Sequence, residues 1–106
     1  MANNNNKAIS IIKDSTFRLL PDSRIVLFGS RARQDFEEES DYDFLIITKN
    51  TIDIQTKRSY KSILRKKLAK HKIPADILIQ SESEIQKKKE VTGHIIRSIL
   101  KEGIDI

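Results

Sequence analysis

The sequence predicts a small α/β fold, in which helices flank a mixed β-sheet in the order α-β-α-β-α-β-α-α. Two observations predict it. Short β-branched and aromatic runs alternate along the chain with longer stretches whose apolar residues recur every three or four positions. The 106 residues, 38% hydrophobic and 33% charged, fit one compact domain over residues 1–106. Because so short a chain builds a thin core, we also expect a partner protein or a second copy to cover apolar surface.

The first half of the chain predicts a helix, a strand and a short second helix. Apolar residues at helical spacing mark the first helix over Lys7–Leu20, and a β-branched run marks a buried strand over Arg24–Phe28. Gly29 permits a sharp turn after this strand, and Ser30 can cap the short helix that follows.

The second half predicts two more strands, each followed by a helix. Asp41–Thr48 begins with polar and apolar residues in alternation and then becomes fully apolar, as in a strand that enters the core. Asp53–His71 is a long amphipathic helix capped near Thr51 or Asp53, and Ala75–Gln80 is a third strand. Ser81 begins a capping box and therefore another helix.

A final apolar stripe predicts the last helix, which ends at Gly103. Its members recur at helical spacing and are Val91, Ile95, Ile99 and Leu100. We expect Ile96 on the outer side of this helix, where it would contribute to an interface with a second copy or a helical partner.

Charge is distributed unevenly. The net charge of +5 favours anionic partners. Residues from Lys57 to Lys72 carry eight basic side chains and no acid. We interpret this cluster as the solvated face of the long helix. We do not favour nucleic-acid binding, because no aromatic residue is available for stacking, since Tyr60 is better placed for the core.

Several classes of protein are excluded or disfavoured. The chain has no cysteine, which excludes disulfides and thiol chemistry. Its apolar runs are far shorter than the ~20 residues of a membrane span, and residues 1–7 lack the apolar core of a signal peptide. We therefore expect a cytoplasmic protein without a membrane partner.

Paired carboxylates predict a metal site. Asp41 and Asp43 stand at positions i and i+2 of a strand, so their side chains lie on the same side of the sheet. Two such charges repel unless a cation lies between them, and oxygen ligands suit Mg²⁺ or Mn²⁺. Asp76 would join them if its strand is the neighbour, and three carboxylates can hold two ions about 4 Å apart.

The turn before the short helix predicts a phosphate site. Gly29 would let the backbone approach a phosphate, and Ser30 would offer a hydroxyl and an N–H group at a helix start. Arg31 and Arg33 follow closely enough to meet phosphate charge. Either arginine could instead lie exposed, and the short helix need place only one of them at the site.

Gly-Ser, ten intervening residues and Asp-x-Asp together resemble the signature of the DNA polymerase β-like nucleotidyltransferase superfamily, and the order of segments resembles its minimal nucleotidyltransferase (MNT) branch. This resemblance implies a metal-dependent enzyme that moves AMP, or another nucleoside monophosphate, from an NTP such as ATP to a hydroxyl group. Asp41, Asp43 and Asp76 would be catalytic and would bind two Mg²⁺ ions. It also implies an all-helical HEPN toxin as the partner, whose hydroxyl-bearing side chain would accept the AMP.

Two departures from the family pattern leave other functions open. Gln34 stands where members commonly have Gly, and residues 37–39 form an unusually acidic loop. If the loop needs positive φ at Gln34, the cost is about 1 kcal/mol. One alternative is a non-catalytic antitoxin that blocks its partner by contact; another is transfer to a small molecule such as an aminoglycoside.

Overall fold

Helices lie on both faces of a four-stranded sheet in the computed structural model, which describes residues 4–91 and 93–106. The elements are, in chain order, α1 (Asn4–Leu19), β1 (Arg24–Phe28), α2 (Gly29–Arg33), β2 (Tyr42–Thr48), α3 (Ile54–Ala69), β3 (Ala75–Ser81), α4 (Glu82–Lys88), α5 (Ile95–Glu102) and β4 (Ile104–Asp105). The predicted α/β class and the order of the first eight elements are confirmed. The final strand β4 was not predicted.

The sheet is mixed, with strand order β3-β2-β1-β4. β1 pairs antiparallel with both β2 and β4, whereas β2 and β3 pair in parallel. Parallel neighbours need a crossover connection, and α3 supplies it between β2 and β3. The two central strands are thus β2 and β1.

Each face of the sheet has its own apolar core. Alternate residues of β2 point to opposite faces, so Phe44 lies on one face and Leu45 on the other, both without solvent exposure. Helices α1 and α3 cover the first face, where Leu64 and Leu68 of α3 are fully buried. On the second face, Ile85 of α4 packs together with the buried side chains of α5.

Helix ends follow the predicted capping signals. Asp53 caps α3 and accepts a hydrogen bond from the Thr56 backbone N–H at 2.7 Å. Ser81 and Glu84 form the predicted capping box of α4, and Glu84 also receives Lys57 Nζ at 2.9 Å. No helix in residues 4–91 and 93–106 has both the length and the apolar composition of a membrane span.

Two expectations about helix ends and faces are wrong. Phe28, not Ser30, occupies the position before α2, because the helix already begins at Gly29. Ile96 is only 2% exposed and packs in the core, whereas Ile95 is 57% exposed. His94 caps α5 and sets its first turn so that Ile96 and Ile99 point at the sheet.

Gln34 ends α2 in the left-handed conformation. Its φ is 63° and its N–H donates to the Ser30 carbonyl. A non-glycine residue in this region costs about 1–2 kcal/mol because its Cβ crowds the backbone. The loop therefore has the shape that a glycine favours, although the chain carries glutamine there.

Replacing Gln34 by glycine is expected to stabilise the protein. Gln34→Gly relieves the strain but gives the unfolded chain more freedom, so we expect a net gain of about 1 kcal/mol in the free energy of unfolding. Urea denaturation measures it. Lys70→Gly, at an exposed position with φ −58°, is the control and should lose about 0.5 kcal/mol. Equal losses in both variants would contradict the strain at Gln34.

Candidate active site

Three carboxylates meet at one edge of the sheet. The parallel register of β2 and β3 places Asp43 directly opposite Asp76. Asp41 lies one residue before β2 and, by strand alternation, on the same side as Asp43. Asp41 and Asp76 are exposed and Asp43 is half-buried. The structure therefore brings together the three side chains that the sequence singled out as metal ligands.

The pKa of Asp43 shows that these charges interact. Partial burial raises the pKa of this carboxyl above its usual range, and the negative charges of Asp76 and Asp41 raise it further. Arg33 opposes the shift, since its positive charge favours the ionised carboxylate. The cluster has more negative charge than the protein itself neutralises.

Gly29 makes room for Asp43. This glycine has φ +74°, and a Cβ built on it would collide with Asp43 Oδ2. The absence of a side chain thus serves two purposes, because it permits the turn from β1 into α2 and it lets a carboxylate lie against the backbone. Sequence reasoning had assigned Gly29 to the sharp turn and to phosphate, but not to this contact with Asp43.

The carboxylates have the chemistry of a site for hard divalent cations. Oxygen donors from neighbouring strands suit Mg²⁺ or Mn²⁺. Burial is the main cause of the raised pKa of Asp43, and the charges of Asp76 and Asp41, which raise this pKa further, are ones that a cation would neutralise. As the side chains stand, no three acidic or histidine groups in the described residues close around one metal position. The three carboxylates therefore fit such a cation, because they are oxygen donors and lie at the same edge of the sheet.

Ser30 and Arg33 lie beside the carboxylates. Ser30 is the second residue of α2, adjacent to Gly29, and is half-buried. Arg33 is exposed and close enough to Asp43 to lower its pKa. Its guanidinium contacts Asp35 at 3.1 Å and Glu102 of α5 at 3.6 Å. These ion pairs are exposed and therefore weak, so Arg33 can exchange them for an anionic ligand.

Arg31 holds the loop that leads to Asp41. It is only 5% exposed and donates hydrogen bonds to the carbonyl oxygens of Ser40 and Glu38 at 3.0–3.2 Å. Its guanidinium also lies 4.2 Å from the Phe36 ring centre and 4.3 Å from that of Tyr42. These contacts give Arg31 a positioning role. They do not support its predicted role in phosphate binding, which remains untested.

Two contributors to the site escaped sequence reasoning. Glu102 reaches Arg33 from α5, far along the chain, and no local pattern signals that contact. Phe36 and Tyr42 enclose the Arg31 side chain, and a spacing of aromatic residues around a buried arginine has no periodic signature. Both depend on tertiary packing.

Adding a methyl group at Gly29 should disturb the carboxylate cluster. Gly29→Ala must displace Asp43 as well as strain the backbone, so we expect a loss of about 3 kcal/mol in unfolding free energy. Gly93→Ala is a matched control, because Gly93 has φ +81° but no atom within 4 Å of the added carbon. It should lose about 1 kcal/mol. Equal losses would contradict the close approach of Asp43 to Gly29.

Neutralising Asp43 should stabilise the metal-free protein. Because the pKa of folded Asp43 is raised, its ionisation opposes folding at neutral pH, and this penalty disappears as the pH falls below its ordinary pKa. Asp43→Asn should therefore raise Tm in EDTA at neutral pH, and the gain should shrink on acidification. Asp22→Asn, at the opposite end of the sheet, is the control. A lower Tm for Asp43→Asn would contradict the repulsion.

Comparison with known proteins places this geometry in a family. A family model described as a nucleotidyltransferase domain matches residues 9–106. Two candidate protein adenylyltransferases of Methanocaldococcus jannaschii are similar to the chain: MJ0141 is 34% identical over 83 residues, which cover 78% of this chain and 77% of the relative. MJ0604 is 35% identical over 80 residues, which cover 76% and 73%.

Solved structures share the fold. A candidate nucleotidyltransferase from Sulfolobus solfataricus has a TM-score of 0.63 at 20% identity, over 93% of this chain and 76% of that one. The complex of an AMPylated Shewanella oneidensis HEPN toxin with its MNT antitoxin has a TM-score of 0.54 at 17% identity, over 96% and 67%. The predicted polymerase β-like fold is confirmed. The chain therefore belongs to the nucleotidyltransferase domain family, as an enzyme with the fold of its minimal nucleotidyltransferase branch.

Proposed function

We propose that this enzyme transfers AMP from ATP to a hydroxyl group of a partner protein, with Mg²⁺ or Mn²⁺ held by Asp41, Asp43 and Asp76. The observation that carries the proposal is the in-register pair of Asp43 and Asp76 with Asp41 beside it. The names of the two M. jannaschii relatives support AMP as the group and a protein as the acceptor.

Different residues of the protein act in different parts of the reaction. Gly29 and Ser30 bind the triphosphate at the start of α2, and Arg33 adds positive charge there. Asp76 accepts the proton of the acceptor hydroxyl, whose oxygen then attacks the α-phosphorus. The bond from that phosphorus to the bridging oxygen breaks, and pyrophosphate leaves. Two bound Mg²⁺ ions would stabilise the negative charge that develops on the phosphate oxygens.

The open position of the site favours a macromolecular acceptor. Asp41 and Asp76 are exposed at the sheet edge. A cavity of about 280 Å³ lies at the other end of the sheet, between Leu20, Thr48 and Tyr60. A small acceptor such as an aminoglycoside would need walls around it. A protein hydroxyl can instead be brought to the edge by docking.

The exposed apolar side chains on α5 and just before it form a surface that suits a helical partner. Val91 is 52% exposed, Ile95 57% and Leu100 39%, although Ile99 of the same predicted stripe is buried. We propose that a HEPN-type toxin covers this surface and presents its hydroxyl to the carboxylates, so that the enzyme acts as an antitoxin. A second copy of the chain is the other occupant that this surface admits.

Neutralisation by contact alone is less well supported. This alternative was suggested by Gln34, which stands where members of the family commonly have glycine. Since Gln34 adopts φ 63°, the loop keeps the left-handed turn that glycine favours. The glutamine at this position lowers the stability of the fold, but it does not remove any of the proposed ligands.

Replacing two carboxylates should abolish transfer. For Asp41→Asn with Asp43→Asn, we expect at least a 100-fold loss of AMP transfer, because both the charge and the ligands for the cation are lost. Mass spectrometry of a helical protein that co-purifies with the enzyme, after incubation with Mg²⁺ and ATP, measures the adduct. Calorimetry of Mg²⁺-ATP binding gives a readout that needs no partner.

The matched control is Glu37→Gln with Glu39→Gln, which removes the same charge from the exposed acidic loop. It should retain transfer within about threefold, since neither glutamate is a proposed ligand. Unchanged transfer in the aspartate variant would overturn the assignment. Toxin neutralisation that persists in this variant without ATP would favour contact alone.

A further inference from the structure

The outer surface of α3 and the turn that follows it carry cations that have no partner within residues 4–91 and 93–106. We call these residues the basic strip: Arg58, Lys61, Arg65, Lys66, Lys67, Lys70 and Lys72. Within the described part of the chain, none of them makes an ion pair or a side-chain hydrogen bond. Lys57, one turn earlier, differs because it pairs with Glu84 at 2.9 Å.

The strip is unfavourable for the isolated helix. Lys61 with Arg65, and Lys66 with Lys70, stand four residues apart, so each pair brings two like charges to neighbouring positions. Each such pair destabilises a helix by about 0.2–0.5 kcal/mol. No acid lies between Lys57 and Lys72 to offset the repulsion. A polyanion would offset it.

The composition of the strip favours phosphates over a protein. Stable protein interfaces are centred on buried aromatic or apolar anchors, and lysine is depleted in them. The strip contains no aromatic side chain, and its one exposed large apolar neighbour within α3, beyond the first residue Ile54, is Ile63 at 39% exposure. The lack of stacking residues, which disfavours binding of unpaired bases, does not apply to a duplex. Lysine and arginine are sufficient to bind its phosphodiester backbone, because that binding is driven by release of counterions.

The packing of α3 favours duplex RNA over DNA. α3 lies against α1 on the sheet and buries Leu64 and Leu68, so only its outer half projects. This projecting half can lie on the wide, shallow minor groove of A-form RNA, which displays 2′-hydroxyl groups. Ser59 and Ser62 stand among its cations, and their hydroxyl groups would find those partners in RNA but not in DNA. We propose that the basic strip binds the backbone of duplex RNA.

This surface is separate from the active site. α3 covers the face of the sheet that holds Phe44, whereas Asp43 and Leu45 belong to the opposite face. The strip ends at Lys72, just before β3 brings Asp76 to the sheet edge. RNA could therefore bind while the carboxylates remain accessible, and RNA binding does not depend on the proposed transfer reaction.

A charge-matched pair of variants tests the proposal. The strip variant is Lys66→Gln, Lys67→Gln and Lys70→Gln. The control variant is Lys87→Gln, Lys89→Gln and Lys101→Gln, which removes the same charge from exposed positions on and after α4 and on α5. Thermal unfolding confirms that both fold. Fluorescence anisotropy with a labelled 20-bp RNA duplex then measures Kd over a range of salt concentrations.

We expect the strip variant to bind RNA at least tenfold more weakly than the control, and its salt dependence to fall by about one unit of slope per lost contact. Arg58→Gln with Arg65→Gln should also weaken binding. Equal losses in the strip and control variants would overturn the proposal, because net charge alone would then explain binding. So would equal affinity for duplex DNA, equal competition by polyglutamate, or no binding by the unmodified protein.

Discussion

Parallel pairing of β2 with β3 determines both the core and the site. Its register places buried residues on both faces of the sheet, with Phe44 beside Ile77 and Leu45 beside Leu78. The same register sets Asp43 opposite Asp76 at the point where the strands reach solvent. A slip of one residue would turn every side chain of a strand to the other face. The apolar core on both faces therefore opposes any shift that would separate the two carboxylates.

The negative charge at this edge of the sheet lowers the stability of the fold at the candidate site. Three carboxylates share a small region, and Arg33 is the cation that acts on Asp43 there. Arg33 is exposed and divides its contacts between Asp35 and Glu102, so it compensates little. A cation that neutralised this remaining repulsion would also stabilise the folded state. Sites that bind ions strongly often have such uncompensated charge, which lowers local stability and raises affinity for the ion.

Local patterns predicted much of the fold and the carboxylate cluster. The bounds of β1 were obtained residue for residue, and the capping signals at Asp53 and Ser81 identified two helix starts. The cluster followed from strand alternation, provided that β3 neighbours β2. The features that the sequence did not predict depend on tertiary packing. Two residues of β4 carry no periodicity, and α5 has apolar residues at positions that allow either Ile95 or Ile96 to face the sheet. Nothing local distinguishes an arginine that binds phosphate from one that, like Arg31, is buried under a loop.

The anchoring of the loop by Arg31 has a consequence for how the enzyme can change. A single buried guanidinium fixes the path of the chain through backbone carbonyls, which every residue possesses, at Glu38 and Ser40. The side chains of residues 37–39 point to solvent and take no part in that anchoring. Their identity can therefore vary without moving Asp41. This loop leads to the carboxylate cluster, so its outer side chains can change while the position of that cluster is preserved.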